Sequence, residues 1–144
     1  MGRYKRMILI RDLAQREETN EAMALRDANA AVDSALSQLQ ALESYRSQYT
    51  DQLGKMQTGR TADEILSLQR FVASLNDAID VSSAEVAASR ERQDAQQLKW
   101  IETYQRANAL EQHCERLLLQ EQRSLEKIEQ SMLDDRIGYQ LPGR

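Results

Sequence analysis

The chain has 144 residues, of which only 5% are aromatic, and this argues against a thick globular core. Its net charge is −4 with acidic and basic residues mixed along the chain, which argues against nucleic acid as the main partner because phosphate binding requires a basic face. The longest apolar run, residues 7–10, is too short for a membrane span or a secretory signal, and a lone cysteine agrees with a reducing compartment. We therefore expect a cytoplasmic protein.

A long amphipathic helix is predicted for the first part of the chain. From Leu25 onward, apolar or small residues recur at alternating steps of three and four, and only Arg46 interrupts them. The pattern continues with gaps back to Met7, so helix 1 is predicted over about residues 7–56. The predicted inward positions are Leu25, Ala28, Val32, Ala35, Leu39, Leu42, Tyr49, Leu53 and Met56.

A turn and a second long helix are predicted next. Gly54 and Gly59 are the only clustered interior glycines and predict a turn at about residues 57–61. Thr61 followed by Glu64 has the spacing of a capping box, so helix 2 is expected over about residues 62–136, with a flexible tail over residues 138–144. The predicted inward positions are Ile65, Leu68, Val72, Leu75, Ile79, Ser82, Val86, Ser89, Gln93, Gln96, Trp100, Thr103, Ala107, Leu110 and Cys114.

Two irregularities are expected in helix 2. Between Ser82 and Gln96 the inward positions are mostly polar and forgo about 1.5–3 kcal/mol each of apolar burial, so this stretch is expected to be the softest part of the helix. After Leu110 the apolar phase predicts one local change of step. The inward positions would then be Cys114, Leu118, Glu121, Leu125, Ile128 and Met132.

The apolar spacing is mirrored about residue 60, and the eight residues that form the mirror are here named the mirrored patch. They follow steps of 4-3-4 on each side and are Gln38, Leu42, Tyr45, Tyr49, Phe71, Leu75, Ala78 and Ser82. Antiparallel pairing gives residue numbers that add to 120 in every pair. The mirror favours an all-α, antiparallel two-helix coiled-coil hairpin forming a single domain over residues 1–137. A parallel dimer stays an alternative.

Part of the mirrored patch is expected to be exposed. Tyr45 and Phe71 lie beside the predicted seam, so the apolar stripe is wider than a two-helix interface requires. The alternative is that the hairpin buries the whole patch, since tyrosine rings also pack at the ends of coils with their hydroxyl groups in water.

The sequence predicts no catalytic residue, no cofactor and no metal ion. His113 and Cys114 are adjacent, but neighbours on a helix point about 100° apart and cannot act as a nucleophile and base pair. One histidine and one cysteine are too few for a zinc site, and no glycine-rich phosphate loop is present. The heptad position of Trp100 favours packing in the seam over an exposed anchor for another protein.

These residues resemble a known family. The match consists of Leu42-x2-Tyr45-x3-Tyr49, then Gly59, then Leu68-x2-Phe71-Val72-x2-Leu75-x2-Ala78-Ile79, and finally the isolated Trp100. In this order the motifs resemble the FliJ family of flagellar type III export proteins over nearly the whole chain. The resemblance implies a non-enzymatic hairpin similar to the stalk of the rotary ATPase gamma subunit. Such a hairpin would insert in the export ATPase hexamer and contact the membrane export gate.

The resemblance also implies where each partner binds. The gate would bind the mirrored patch, although the family more often has a larger polar residue at the position of Ser82. The residues that would bind the ATPase are Arg3, Lys5, Arg6, Arg123 and Lys127. Export chaperones are expected as further partners, nucleic acid and direct membrane insertion are not, and the expected location is cytoplasmic, at the inner membrane. The alternatives are a virulence type III secretion stalk, an escort protein for export chaperones and a structural coiled-coil scaffold.

Overall fold

The fold is an all-α helical hairpin, as predicted. The structure, a computed structural model, describes residues 2–55 and 59–140, with the side chains of residues 139 and 140 left aside. Helix α1 comprises Gly2–Lys55 and helix α2 comprises Ala62–Gln140. The two helices pack against each other, and the described residues contain no strand.

Both helices are longer than the spacing predicts. α1 begins at Gly2 instead of about residue 7, and the Nε of Arg6 donates a hydrogen bond to the carbonyl oxygen of Gly2 at 3.3 Å. α2 continues through Gly138, where the sequence predicts the tail to begin, and ends at Gln140. Arg, Lys and Met are good helix formers, so helix continues where the apolar pattern fades. Met56 and residues 141–144 lie outside the described residues.

The start of α2 follows the predicted cap. The backbone amide of Glu64 donates to Oγ1 of Thr61 at 3.3 Å, and the amide of Ile65 donates to the carbonyl oxygen of Thr61 at 3.2 Å. Gly59 has a φ of 90°, a left-handed conformation that a residue with a Cβ rarely adopts, so glycine is required there. Of the predicted turn, residues 57 and 58 lie outside the described residues.

The chain divides into two compact units. The first unit joins α1 up to Glu21 with α2 from Trp100 onward, and the second unit comprises Ala22–Lys99. The buried apolar side chains of the first unit are Ala14, Ala107, Cys114 and Leu117. Those of the second unit are Val32, Ala35, Leu75, Ile79 and Val86, together with the polar Ser82 and Ser89. A single domain over residues 1–137 stays a prediction.

The predicted seam is confirmed. Every predicted inward position of helix 2 from Ile65 to Cys114 is buried or half-buried, and so is every described one in helix 1. In the second unit, the rings of Tyr49 and Phe71 lie 4.7 Å apart and Nε2 of Gln93 donates to Oδ1 of Asn29 at 2.6 Å. Pairs of residue numbers near 120 are therefore in contact, as an antiparallel register requires.

The same antiparallel pairing holds within the first unit. Nε2 of Gln15 donates to Oε2 of Glu111 at 3.1 Å, and Nη1 of Arg106 donates to Oε2 of Glu17 at 3.3 Å. Both bonds join exposed side chains along the edge of the seam, where they align the helices and contribute little to stability.

The predicted change of step after Leu110 is wrong. Leu117 is 7% exposed while Leu118 is 37% exposed, so the seam continues from Cys114 by a step of three. The sequence 117–119 is three consecutive leucines, and only packing against α1 selects Leu117. The positions expected to be inward after Glu121 are exposed, namely Leu125, Ile128 and Met132. Residues 122–138 are all exposed, because α1 begins at Gly2 and no described residue of α1 lies opposite them.

Candidate protein-binding surface

The mirrored patch lies entirely within the second unit, and its members differ in exposure as their positions predict. Leu75 and Ser82 are buried in the seam, at 8% and 7% exposed. Tyr45 is 53% exposed and Phe71 is 43% exposed. Burial of the whole patch is therefore wrong. Gln38 is exposed, and the three half-buried members are Leu42, Tyr49 and Ala78.

The aromatic residues of the patch form a ridge between the helices. The rings of Tyr49 and Phe71 meet edge to face, with an interplanar angle of 73°. They open onto a groove of about 500 Å³ at the turn end of the second unit. The groove is lined by Tyr49, Gln52, Arg60, Asp63, Glu64, Ser67, Leu68 and Phe71. A rigid aromatic edge beside a groove is suited to an apolar side chain of another protein.

A second groove, of about 460 Å³, lies at the other end of the patch. It is lined by Gln38, Asp77, Ala78, Val81, Ser82 and Glu85. Three of these residues belong to the mirrored patch, whereas Asp77, Val81 and Glu85 were missed by the sequence analysis. They are spaced four apart on one line of α2, and Val81 is 72% exposed. This spacing was readable, but it does not differ from that of an ordinary solvated helix face.

Arg46 breaks the apolar pattern of helix 1 and is accommodated by a partner on α2. Its side chain is half-buried, and its Nη1 donates to Oδ1 of Asn76 at 3.2 Å. The hydrogen bond compensates for part of the water that the guanidinium loses on burial. The cation adjacent to Tyr45 is thus directed across the seam.

The residues that the resemblance assigns to the ATPase lie in the first unit, and all five are exposed. Only Arg3 lines a groove, of about 320 Å³, which the start of α1 forms with α2. The other residues that line it are Leu117, Gln120, Glu121, Ser124 and Leu125. Lys5, Arg6, Arg123 and Lys127 do not line this groove, so the structure gives a common exposed environment and no single constellation.

The histidine and cysteine pair has no nucleophilic arrangement. Cys114 is 1% exposed, and burial raises the pKa of its thiol, opposed by the positive charge of Arg11. A buried, protonated thiol is a poor nucleophile. His113 is half-buried beside it on the helix. Across residues 2–55 and 59–140, no group of three His, Cys, Asp or Glu side chains is placed to hold a metal ion.

Trp100 packs in the seam, as its heptad position predicts. It is half-buried, its Nε1 donates to Oε1 of Glu18 at 2.9 Å, and its ring lies 5.4 Å from that of Tyr104. Both neighbours lie in the first unit. In the part of the chain that the structure describes, no helix combines the length and the apolar character needed to cross a membrane.

Comparison with known proteins gives one family. A family model described as "Flagellar FliJ protein" matches residues 4–142, nearly the whole chain. Comparisons with curated proteins and with solved structures each gave no significant match.

Proposed function

The chain belongs to the FliJ family of flagellar proteins, and we propose that it is a stalk that inserts in the export ATPase ring and couples it to the membrane export gate. The family implies a non-catalytic component of the flagellar export apparatus. The proposed location is the cytoplasmic face of the inner membrane, where both partners would be within reach.

The observation that supports the gate-binding role is the exposure of Tyr45 and Phe71 beside a buried seam. Both side chains belong to the mirrored patch that the family resemblance assigns to the gate, and the second unit packs without burying them. Aromatic side chains that are exposed in a free protein and buried on binding supply a large share of the energy of protein interfaces.

The first unit supports the ATPase-binding role. It contains all five assigned cations, and near Arg123 and Lys127 the exposed part of α2 also presents Leu125, Ile128 and Met132. Apolar side chains flanked by cations fit a protein surface that is apolar with an acidic rim. Helices about 10 Å in diameter are narrow enough to enter the central hole of a ring-shaped hexamer.

The gate-binding role is tested with the variant Tyr45→Ala, Phe71→Ala and the cytoplasmic domain of the export-gate protein. We expect the affinity to fall at least about tenfold, because two aromatic anchors are lost. The melting temperature should change little, because both side chains are already exposed. Titration calorimetry measures the affinity, and circular dichroism measures the melting temperature.

The matched control is the variant Met23→Ala, Leu98→Ala, which also removes two exposed apolar side chains from the second unit but outside the mirrored patch. It should bind the gate domain like the unaltered chain. A large loss of melting temperature in Tyr45→Ala, Phe71→Ala with unchanged binding would show that these two residues are part of the core and would contradict the proposal.

A further inference from the structure

The mirrored patch lies in a stretch of the hairpin that carries only negative charge. Residues 27–45 of α1 and 71–89 of α2 contain six Asp and Glu side chains and no Lys or Arg, and the two stretches together are here named the acidic band. All 19 Lys and Arg residues of the chain lie outside it, mixed with the other Asp and Glu residues. The six are Asp27, Asp33, Glu43, Asp77, Asp80 and Glu85.

The packing of the second unit places the two stretches of the acidic band opposite each other. Arg46, one residue beyond the band, bonds Asn76 within it, and Tyr49 meets Phe71 at its edge. All six carboxylates are exposed. Negative charge from both helices therefore surrounds the exposed aromatic residues of the mirrored patch.

Most of this charge has no counter-charge within the described residues. Glu85 is paired with Nη2 of Arg92 at 2.8 Å, and the other five carboxylates form no ion pair with a described residue. Arg46, the nearest cation in α1, is bonded to a neutral amide instead. Like charges in one compact unit repel each other, so the free hairpin carries a cost that a cationic partner would remove.

We infer that the partner surface covering the mirrored patch is basic, and that it places a Lys or Arg side chain in the groove beside Asp77. The groove joins apolar surface from Ala78 and Val81 to the carboxylates at its rim. A Lys or Arg side chain packs its methylene stem on apolar surface while its charged end meets a carboxylate. This inference rests on the proposed gate-binding role of the patch and adds the chemistry of the partner.

Two other occupants are disfavoured by the same charges. A second copy of this chain would bring its own acidic band against the first, and the like charges would oppose pairing of the two patches. A neutral apolar surface would remove water from the unpaired carboxylate of Asp77 without replacing its interactions. Both occupants remain outcomes of the experiment.

The experiment measures association and dissociation rates with the cytoplasmic domain of the export-gate protein by stopped-flow fluorescence at several salt concentrations. We expect Asp77→Lys to lower the association rate constant at least about tenfold at low salt, with a smaller effect on dissociation, because rim charges act mainly on encounter. Asp77→Asn should give a smaller decrease. Salt should slow association of the unaltered chain more than that of Asp77→Lys.

The matched control is Asp94→Lys, an exposed acidic residue of the second unit outside the acidic band, with the same change of charge. Equal association rates and equal salt dependence for Asp77→Lys and Asp94→Lys, together with weakened binding by Tyr45→Ala, Phe71→Ala, would overturn the inference and leave the proposed function standing. Unaltered binding by Tyr45→Ala, Phe71→Ala, or no binding by the unaltered chain, would overturn both.

Two checks keep the result independent of folding. Asp77 is exposed, so circular dichroism should show unchanged helicity for both of its variants. If Asp77→Lys fails to fold, the unaltered chain and Asp77→Asn still decide the inference. Association of the unaltered chain that does not slow with added salt would overturn it. Sedimentation of the free chain as a dimer that Asp77→Lys strengthens would also overturn it, because a second copy would then be the occupant.

Discussion

At the scale of single residues, Cys114 makes the stability of the first unit depend on pH. Burial raises the pKa of its thiol above the ordinary value of 9.0, so the folded state favours the neutral form. Its contribution to stability is therefore fully present below pH 9.0 and is lost as the pH rises through the pKa of the folded state. We expect the melting temperature to fall more steeply above that pH in the unaltered chain than in Cys114→Ala.

Circular dichroism melts over a pH series measure this difference. Tyrosine and lysine residues also titrate in this range, but they are common to both proteins, so the difference in slope isolates the thiol. Cys114→Ala should melt lower at neutral pH, because it leaves a small cavity in a position that is 1% exposed. Parallel pH profiles for the two proteins would contradict the assignment.

At the scale of helices, the polar part of the seam is continuous helix with weak packing. Ser89 is 2% exposed, but its hydroxyl group contacts exposed side chains, donating to Oε1 of Glu85 at 3.2 Å and accepting from Nη2 of Arg92 at 3.1 Å. Both partners can bond water instead if the hydroxyl is removed. The layer therefore adds little apolar burial and no enclosed polar network.

This argument predicts a contrast between two buried positions of the second unit. Ser89→Ala should lower the free energy of unfolding by less than about 1 kcal/mol, since exposed partners recover their hydrogen bonds from water. Ile79→Ala should lower it by about 2–4 kcal/mol, because it removes buried apolar volume. Urea unfolding followed by circular dichroism gives both values. Equal losses would mean that the serine layer stabilises the hairpin as much as the apolar layers do.

The sequence predicted the helices and their seam because both depend on a local period. The 3-4 spacing alone determines which side of a helix is apolar, and the positions of Tyr45 and Phe71 beside that stripe predicted their exposure. The choice between Leu117 and Leu118 could not be predicted, because either phase is apolar and the opposite helix decides. The groove at Val81 was missed for the same reason, since it exists only where Gln38 of α1 lies across from α2.

At the scale of the whole molecule, the two proposed partner sites belong to different compact units. The mirrored patch and the acidic band lie within Ala22–Lys99, whereas the five cations assigned to the ATPase lie in the first unit. No described residue belongs to both sets. A stalk that couples two partners requires such a division, because each partner must be able to remain bound while the other acts. Variants in one unit should therefore affect one partner only.

The variant Arg123→Glu, Lys127→Glu tests this separation. If the first unit binds inside the export ATPase hexamer, reversing two exposed cations should reduce stimulation of ATP hydrolysis at least about fivefold and leave binding to the gate domain unchanged, since charge reversal at an interface opposes docking. Tyr45→Ala, Phe71→Ala should show the converse. Phosphate release measures the first effect and titration calorimetry the second. The matched control, Arg90→Glu, Lys99→Glu, makes the same charge change on exposed residues of the second unit and should retain full stimulation. Equal losses in both basic variants would show that only net charge matters, and no stimulation by the unaltered chain would favour a structural scaffold over a stalk.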